Sequence, residues 1–196
     1  MNKSLLSVCG AALVGVGGIL SIAVVGCVSA AFVVISAQSS NTPSDSLAPV
    51  AGLVGQWTGA SGGQPGKGQV ERQYERVLGS RFIQVRNRST YPPQEKNPKG
   101  EVHEDIGFFS FDSGRKRIVF RQFHTEGFVN QYVMQPDPTP TRLIFSSEAI
   151  ENIPAGFRAR ETYLLSGTDH LEEILEIAEP GKDFEIYSRS RLTRVR

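Results

Sequence analysis

The sequence predicts an all-β domain, an antiparallel up-and-down β-barrel of about ten strands, preceded by an N-terminal apolar helix. Three observations predict it. From Val50 onward, short segments rich in Val, Ile, Phe, Tyr and Thr alternate with clusters of turn residues. None of these segments has a convincing helical period. A meander of so many strands must close or fold over, because open edges pair with other chains.

The first element is the leader. After Asn2 and Lys3, the run Ser4–Ala37 carries no charge and is rich in Val, Ala, Leu, Ile and Gly. Such a run exceeds the length of a membrane-spanning helix and of an ordinary signal core. Residues 1–37 therefore read as a signal or membrane-anchor segment, with membrane contact through residues 5–37. Cleavage after Ala30 or Ala31, lipidation at Cys27 of the lipobox-like Val24-Val25-Gly26-Cys27, and retention as an anchor are the three outcomes; the length of the run favours the anchor. Apolar residues, not a polar linker, follow Cys27. The expected location is membrane-anchored or exported. Residues 38–49, rich in Ser, Asn, Thr, Pro and Asp, read as a flexible tether, and residues 50–196 as the barrel.

The strands are expected at Val54–Ala60, Gln69–Leu78, Arg81–Thr90, Glu101–Asp112, Lys116–His124, Phe128–Met134, Arg142–Ala149, Phe157–Leu165, His170–Glu179 and Phe184–Arg194. Gly79-Ser80 reads as a two-residue hairpin turn and Asp112-Ser113-Gly114 as a three-residue one. The prolines of Gln135–Pro140 remove ladder donors and exclude a strand there. Ser166–Asp169 and Pro180–Asp183 are turns. His170–Glu179 is Glu- and Leu-rich enough for a helix. Its place between two turns, and the alternation of Leu171, Glu173, Leu175 and Ile177 with Glu172, Ile174 and Glu176, favour a strand. The proline-rich loop Tyr91–Gly100 is long for a hairpin and could cover one barrel mouth.

Charge narrows the function. The chain has 21 Lys+Arg and 20 Asp+Glu, and only Lys3 is charged before Asp45, so the barrel carries 20 bases and 20 acids. That balance lacks the basic excess of a nucleic-acid binder. Both cysteines, Cys9 and Cys27, lie in the leader, so the barrel has neither disulfide nor thiol chemistry. No nucleophile elbow and no phosphate loop opening a helix is present. A monomer that binds a small apolar or amphipathic ligand is the expectation, because a barrel of this size encloses room for one.

Candidate site residues follow from parity, since alternate residues of a strand share a face. His124, Glu126, Phe128, Asn130 and Tyr132 have one parity, within a polar stretch that begins at Arg121. His103 and Asp105 share a face. Arg158 and Arg160 also share one; they could hold an anion bidentately or pair with Glu148 or Glu172 across strands. The ligand-binding set is then His103, Arg121, His124, Asn130, Tyr132 and Arg160. A His103/His124/Glu126 acid–base cluster is the enzymatic alternative, and a side-chain-filled structural barrel is the third reading. Three scattered histidines suggest no metal site.

Leu53-Val54-Gly55-Gln56-Trp57-Thr58-Gly59 resembles the G-x-W signature that opens the first strand of calycins, the lipocalin and fatty-acid-binding group. His103-Glu104-Asp105-Ile106-Gly107-Phe108 is similar to the H-x-E-x-G-aromatic segment of the nitrobindins, haem-binding β-barrels, with Asp105 where Glu is usual. The resemblance implies that Trp57 lies across one barrel end, that Gly55 keeps the chain close to it, and that a basic residue of the final strand, Arg194 with Arg191 second, packs over the indole. It also implies haem as cofactor and peroxynitrite isomerisation as activity. The nitrobindin haem ligand is a histidine on the last two strands, whereas no histidine follows His170 here; Tyr187 and Arg189 occupy that stretch. No cofactor is therefore certain.

Overall fold

The computed structural model describes residues 45–95 and 97–196; the leader and most of the tether lie outside the described residues. Ten antiparallel strands form a closed barrel in sequence order, with β1 (Gly55–Gly63) pairing β10 (Glu185–Arg194) to complete the circle. Between them run β2 (Gly68–Val77), β3 (Phe82–Tyr91), β4 (Glu101–Asp112), β5 (Arg117–His124), β6 (Val129–Met134), β7 (Arg142–Glu151), β8 (Arg158–Ser166) and β9 (His170–Ala178). Every expected strand is present, including β9, and Glu101–Asp112 has the expected bounds. Among the described residues, no helix is long and apolar enough to cross a membrane.

Two turns are longer than expected. Val77 pairs Phe82 and Asp112 pairs Arg117, so each connection has four residues. The extra residues absorb left-handed backbone: Leu78, Gly79 and Ser80 all have positive φ, as does Lys116. The tether also ends earlier than expected. Leu47 is 1% exposed, and Ala48–Leu53 form a 3₁₀ helix that buries Val50 and Leu53. Pro49 suits the first turn of this helix, where no amide partner is needed.

The 3₁₀ helix leads directly into β1, and Trp57 beside it closes one barrel end. Trp57 is 1% exposed and its Nε1–H donates to Leu53 O at 2.7 Å. Arg194, opposite Trp57 in the β1–β10 register, lies with its guanidinium 4.0 Å from the indole centroid. Its donors reach the carbonyls of Val54, Gly52 (2.9 Å) and Thr168 (2.7 Å). Gly55 has φ +134°, and a Cβ there would meet Arg194 Nη1 at 2.3 Å. The glycine is thus required both by conformation and by the arginine passing over it.

Above this floor the interior is aromatic. Phe109 and Phe120 stack at 4.2 Å, with Phe145 and Tyr163 packed edge-on to one another at 5.9 Å beside them. Gly107 makes room for the stack, since a Cβ there would lie 2.5 Å from the Phe120 ring.

Trp57→Ala should lower unfolding stability by about 3–5 kcal/mol, as truncation of a buried large aromatic does. Arg194→Ala should cost less, and Arg194→Lys should recover little of it, because an ammonium does not reproduce the guanidinium fork. Urea denaturation of the three variants measures the order; a Trp57→Ala barrel as stable as wild type would refute the latch.

Candidate functional site

The opposite end of the barrel holds a cavity of about 400 Å³. Its mouth lies among the β1–β2, β3–β4, β5–β6 and β7–β8 connections. The loop 92–100 is fastened to the β1–β2 turn: Gln94 Oε1 accepts from Lys67 N at 2.8 Å, and Gln94 Nε2 donates to Lys67 O at 3.1 Å. Tyr91 and Glu101, which flank this loop, line the cavity. One part of the lining is apolar, with Phe128, Ile150, Ile153, Phe157, Leu175 and Ile177. The rest is polar and reaches the mouth at Glu101 and Glu126.

The polar side arises from residues whose parity points inward on β2, β3, β4, β5, β6, β8 and β9. Asp105, 6% exposed, is its hub. Asp105 Oδ1 accepts from Asn87 Nδ2 at 2.8 Å and Gln122 Nε2 at 2.9 Å. Its Oδ2 lies 3.6 Å from His103 Nε2, a charge contact longer than a hydrogen bond. His103 Nδ1 bonds Glu126 Oε1 at 2.8 Å, and His103 Nε2 faces His124 Nδ1 at 3.2 Å. Asn130 Nδ2 approaches His124 Nε2 at 3.1 Å and donates to Tyr132 Oη at 2.9 Å. The His124 ring stacks on Phe128 at 3.9 Å. Deeper still, Arg72 pairs Glu173 at 3.0 Å, Tyr74 donates to Glu173 at 2.7 Å, and Tyr163 donates to Glu161.

These contacts set the protonation states. The Asp105 carboxylate, with Glu126 adding and burial opposing, raises His103 to about 9. Burial, reinforced by the His103 charge, lowers His124 to about 4, so two adjacent imidazoles titrate far apart. Asp105 stays ionised: burial works against it, but contacts from His103 and Gln122 and the Arg72 charge hold it below the usual carboxylate range. Burial raises Glu161 to about 7, with Glu173 and Asp105 adding and the Tyr163 hydroxyl opposing. Burial also pushes the phenols of Tyr74, Tyr132 and Tyr163 well above their ordinary value.

Four of the expected site residues, His103, His124, Asn130 and Tyr132, line the cavity together with Glu126. Their common parity survives the β5–β6 turn because the connection between His124 and Phe128 has an odd number of residues, Thr125-Glu126-Gly127, and Gln122 pairs Asn130 beneath it. Arg121 and Arg160 are corrections. Arg121 is exposed on the outer face, opposite Gln131, and donates to its Oε1 at 3.0 Å. Arg160 is also outward, in a two-pronged pair with Glu176 at 2.7 Å and 4.4 Å from the Phe184 centroid. Glu148 and Glu172, the partners expected for the arginines, instead bind Arg115 and Arg189. Sequence reasoning missed Arg72, Glu161 and Glu173 inside the barrel. The available signal was a charged residue at the inward parity of a strand, such as Glu173 between Leu171 and Leu175.

Residues 46–194 match the model of the THAP4-like, heme-binding beta-barrel domain. The chain belongs to this family. Among solved structures it is similar to that of Rv2717c from M. tuberculosis, at 18% identity and TM-score 0.58, covering 77% of this chain and 98% of that one. That likeness establishes the fold alone. No curated protein matches the chain.

For a THAP4-like barrel the implied group is haem, which needs an axial donor. The outward nitrogens of the imidazole pair, His103 Nδ1 and His124 Nε2, are covered by Glu126 and Asn130. The inward nitrogens are 3.2 Å apart, which leaves no space for a macrocycle between them. His170 is exposed at the start of β9, on the Trp57 end. Tyr187 of β10 lines the cavity, but burial raises its phenol and disfavours the phenolate. As arranged, these residues do not fit an axially ligated haem.

Glu161 supplies a pH prediction. With a folded value of about 7 against an ordinary 4.5, it stays protonated in the fold while the unfolded chain ionises. Its contribution to stability is full below pH 4.5 and lost as pH rises through about 7. Glu161→Gln should flatten the stability–pH curve across that interval and raise stability at pH 7; an unchanged slope would place the titration elsewhere.

Proposed function

We propose that the barrel binds one amphipathic small molecule, whose apolar body rests among Phe128, Ile150, Phe157 and Leu175 and whose polar head meets the His103–Asp105–His124 floor. The observation that carries this reading is that a single cavity of about 400 Å³ is lined both by an apolar set, Phe128, Ile150, Phe157 and Leu175, and by a hydrogen-bonding set, His103, Asp105, His124 and Asn130. Such a lining fixes orientation as well as affinity. Buried acceptors without protein partners, Asn87 Oδ1, Gln122 Oε1 and Asn130 Oδ1, supply places for donors of the head group. Membership of a family described as heme-binding supports a ligand-binding barrel and keeps haem as the second reading.

An amphipathic anilinonaphthalene dye should bind the full chain with enhanced fluorescence, and Leu175→Trp, which fills the apolar side of the cavity, should weaken it about tenfold or more. Dye binding that ignores Leu175→Trp would move the ligand outside the barrel. Haem added to the same protein should give no Soret band of an axially ligated species; a band abolished by His124→Ala would replace the present reading with the haem one.

The uncharged run Ser4–Ala37 supports a location at or beyond the membrane. Deleting residues 1–38 should convert a membrane-fraction protein into a soluble monomer, and membrane association of the truncated chain would refute this.

A further inference from the structure

We propose that His103 Nε2, His124 Nδ1 and Asp105 Oδ2 form a binding site for one divalent first-row transition ion of the Zn²⁺/Fe²⁺ class, with a coordination position open to the cavity. Donor–metal bonds of about 2.0–2.2 Å place neighbouring donors about 3.0 Å apart in an octahedral site and about 3.4 Å apart in a tetrahedral one. His103 Nε2 lies 3.2 Å from His124 Nδ1 and 3.6 Å from Asp105 Oδ2, and one donor atom from each of the three residues falls within 4.8 Å of the others. Two imidazoles and one carboxylate on one side of an ion are the donor set of metal sites that keep open positions for water or substrate.

Each ligand is also held by its other end. His103 Nδ1 is oriented by Glu126 at 2.8 Å, the carboxylate–histidine–metal arrangement. Asp105 Oδ1 takes both amide donors, from Asn87 and Gln122, which leaves Oδ2 for an ion. His124 Nε2 faces the Asn130 amide. Asn130 Nδ2 directed at Nε2 puts the His124 proton on Nδ1, pointing at His103 Nε2. A cation between the rings takes the His103 Nε2 and His124 Nδ1 lone pairs, which places the His124 proton on Nε2. The unpartnered Asn130 Oδ1 is the acceptor for it once the amide turns over, a choice fixed by the hydrogen-bond network. Gln122 Oε1, also buried and unpartnered, is an acceptor for the hydrogens of a metal-bound water.

The site sits where the polar head of the cavity ligand would lie, but ion binding needs no organic ligand. Its failure leaves the ligand reading intact, and the converse holds. The test is a titration of the chelator-stripped full chain with Co²⁺ alone, followed by Zn²⁺ competition. One Co²⁺ should bind per chain with a d–d spectrum, and Zn²⁺ should displace it. His124→Ala should abolish stoichiometric binding. Asp105→Asn should abolish it too while retaining the Oδ1 acceptor that holds the floor together. Glu126→Gln, which touches His103 but not the ion, should weaken it about 10–100-fold. Absence of stoichiometric binding to the wild type overturns the proposal. So does binding that survives both His124→Ala and Asp105→Asn. Loss with Glu101→Gln but not with His124→Ala would assign the ion to the more exposed Glu101, His103 and Glu126 group instead, and would likewise overturn it.

Discussion

Closure of β1 against β10 is the constraint on which the rest of the molecule depends. Seven residues of β1, Trp57 to Gly63, pair antiparallel with Arg194 to Ser188. Once that seam is shut the sheet has no edge, and alternate residues of every strand must enter a finite interior. The seam is locked at one end by a single residue: Arg194 lies over the Trp57 ring and binds carbonyls on both sides of the 3₁₀ helix's exit. A guanidinium over an indole contributes about 0.5–1 kcal/mol when exposed and about 2 when desolvated. The buried indole itself contributes more, so the arginine acts mainly as a cover and a staple.

The locked end and the open end divide the interior between two kinds of chemistry. Near Trp57 the inward positions are Phe109, Phe120, Phe145 and Tyr163, which fill space and exclude water. Further along the same strands the inward positions become polar: Gly107 and Phe109 give way to Asp105 and His103 on β4, and Phe120 to Gln122 and His124 on β5. The change of composition along a fixed parity turns a packed barrel into a barrel with a site. Burying these groups is tolerated because most are paired, Arg72 with Glu173 and Asp105 with Asn87 and Gln122.

The strands and their order were legible in the sequence because turn residues and the two-residue period are local signals, whereas the Trp57–Arg194 contact was legible only through the resemblance to the G-x-W signature of calycins. The inner face of the β5–β6 hairpin was legible from the same local signals. Arg121 and Arg160 misled because residue type was given more weight than parity: Arg121 alternates with Gln122 and His124, and so points outward. The His103/His124/Glu126 cluster was expected, but the place of Asp105 at its hub was not legible. His103 and Asp105 share β4, and their meeting with His124 depends on the β4–β5 register that sets Asp105 opposite His124. The buried start of the barrel at Leu47 was hidden by a polar composition that resembles a linker.

The central claim is that barrel closure assembles a binding centre from the inward positions of β4 and β5. It is tested most directly by anomalous diffraction from crystals of the chain grown with Zn²⁺, recorded on both sides of the zinc edge. The account predicts one peak per chain within bonding distance of His103 Nε2, His124 Nδ1 and Asp105 Oδ2, facing the cavity. No peak there, or a peak only at the exposed His170, would contradict it.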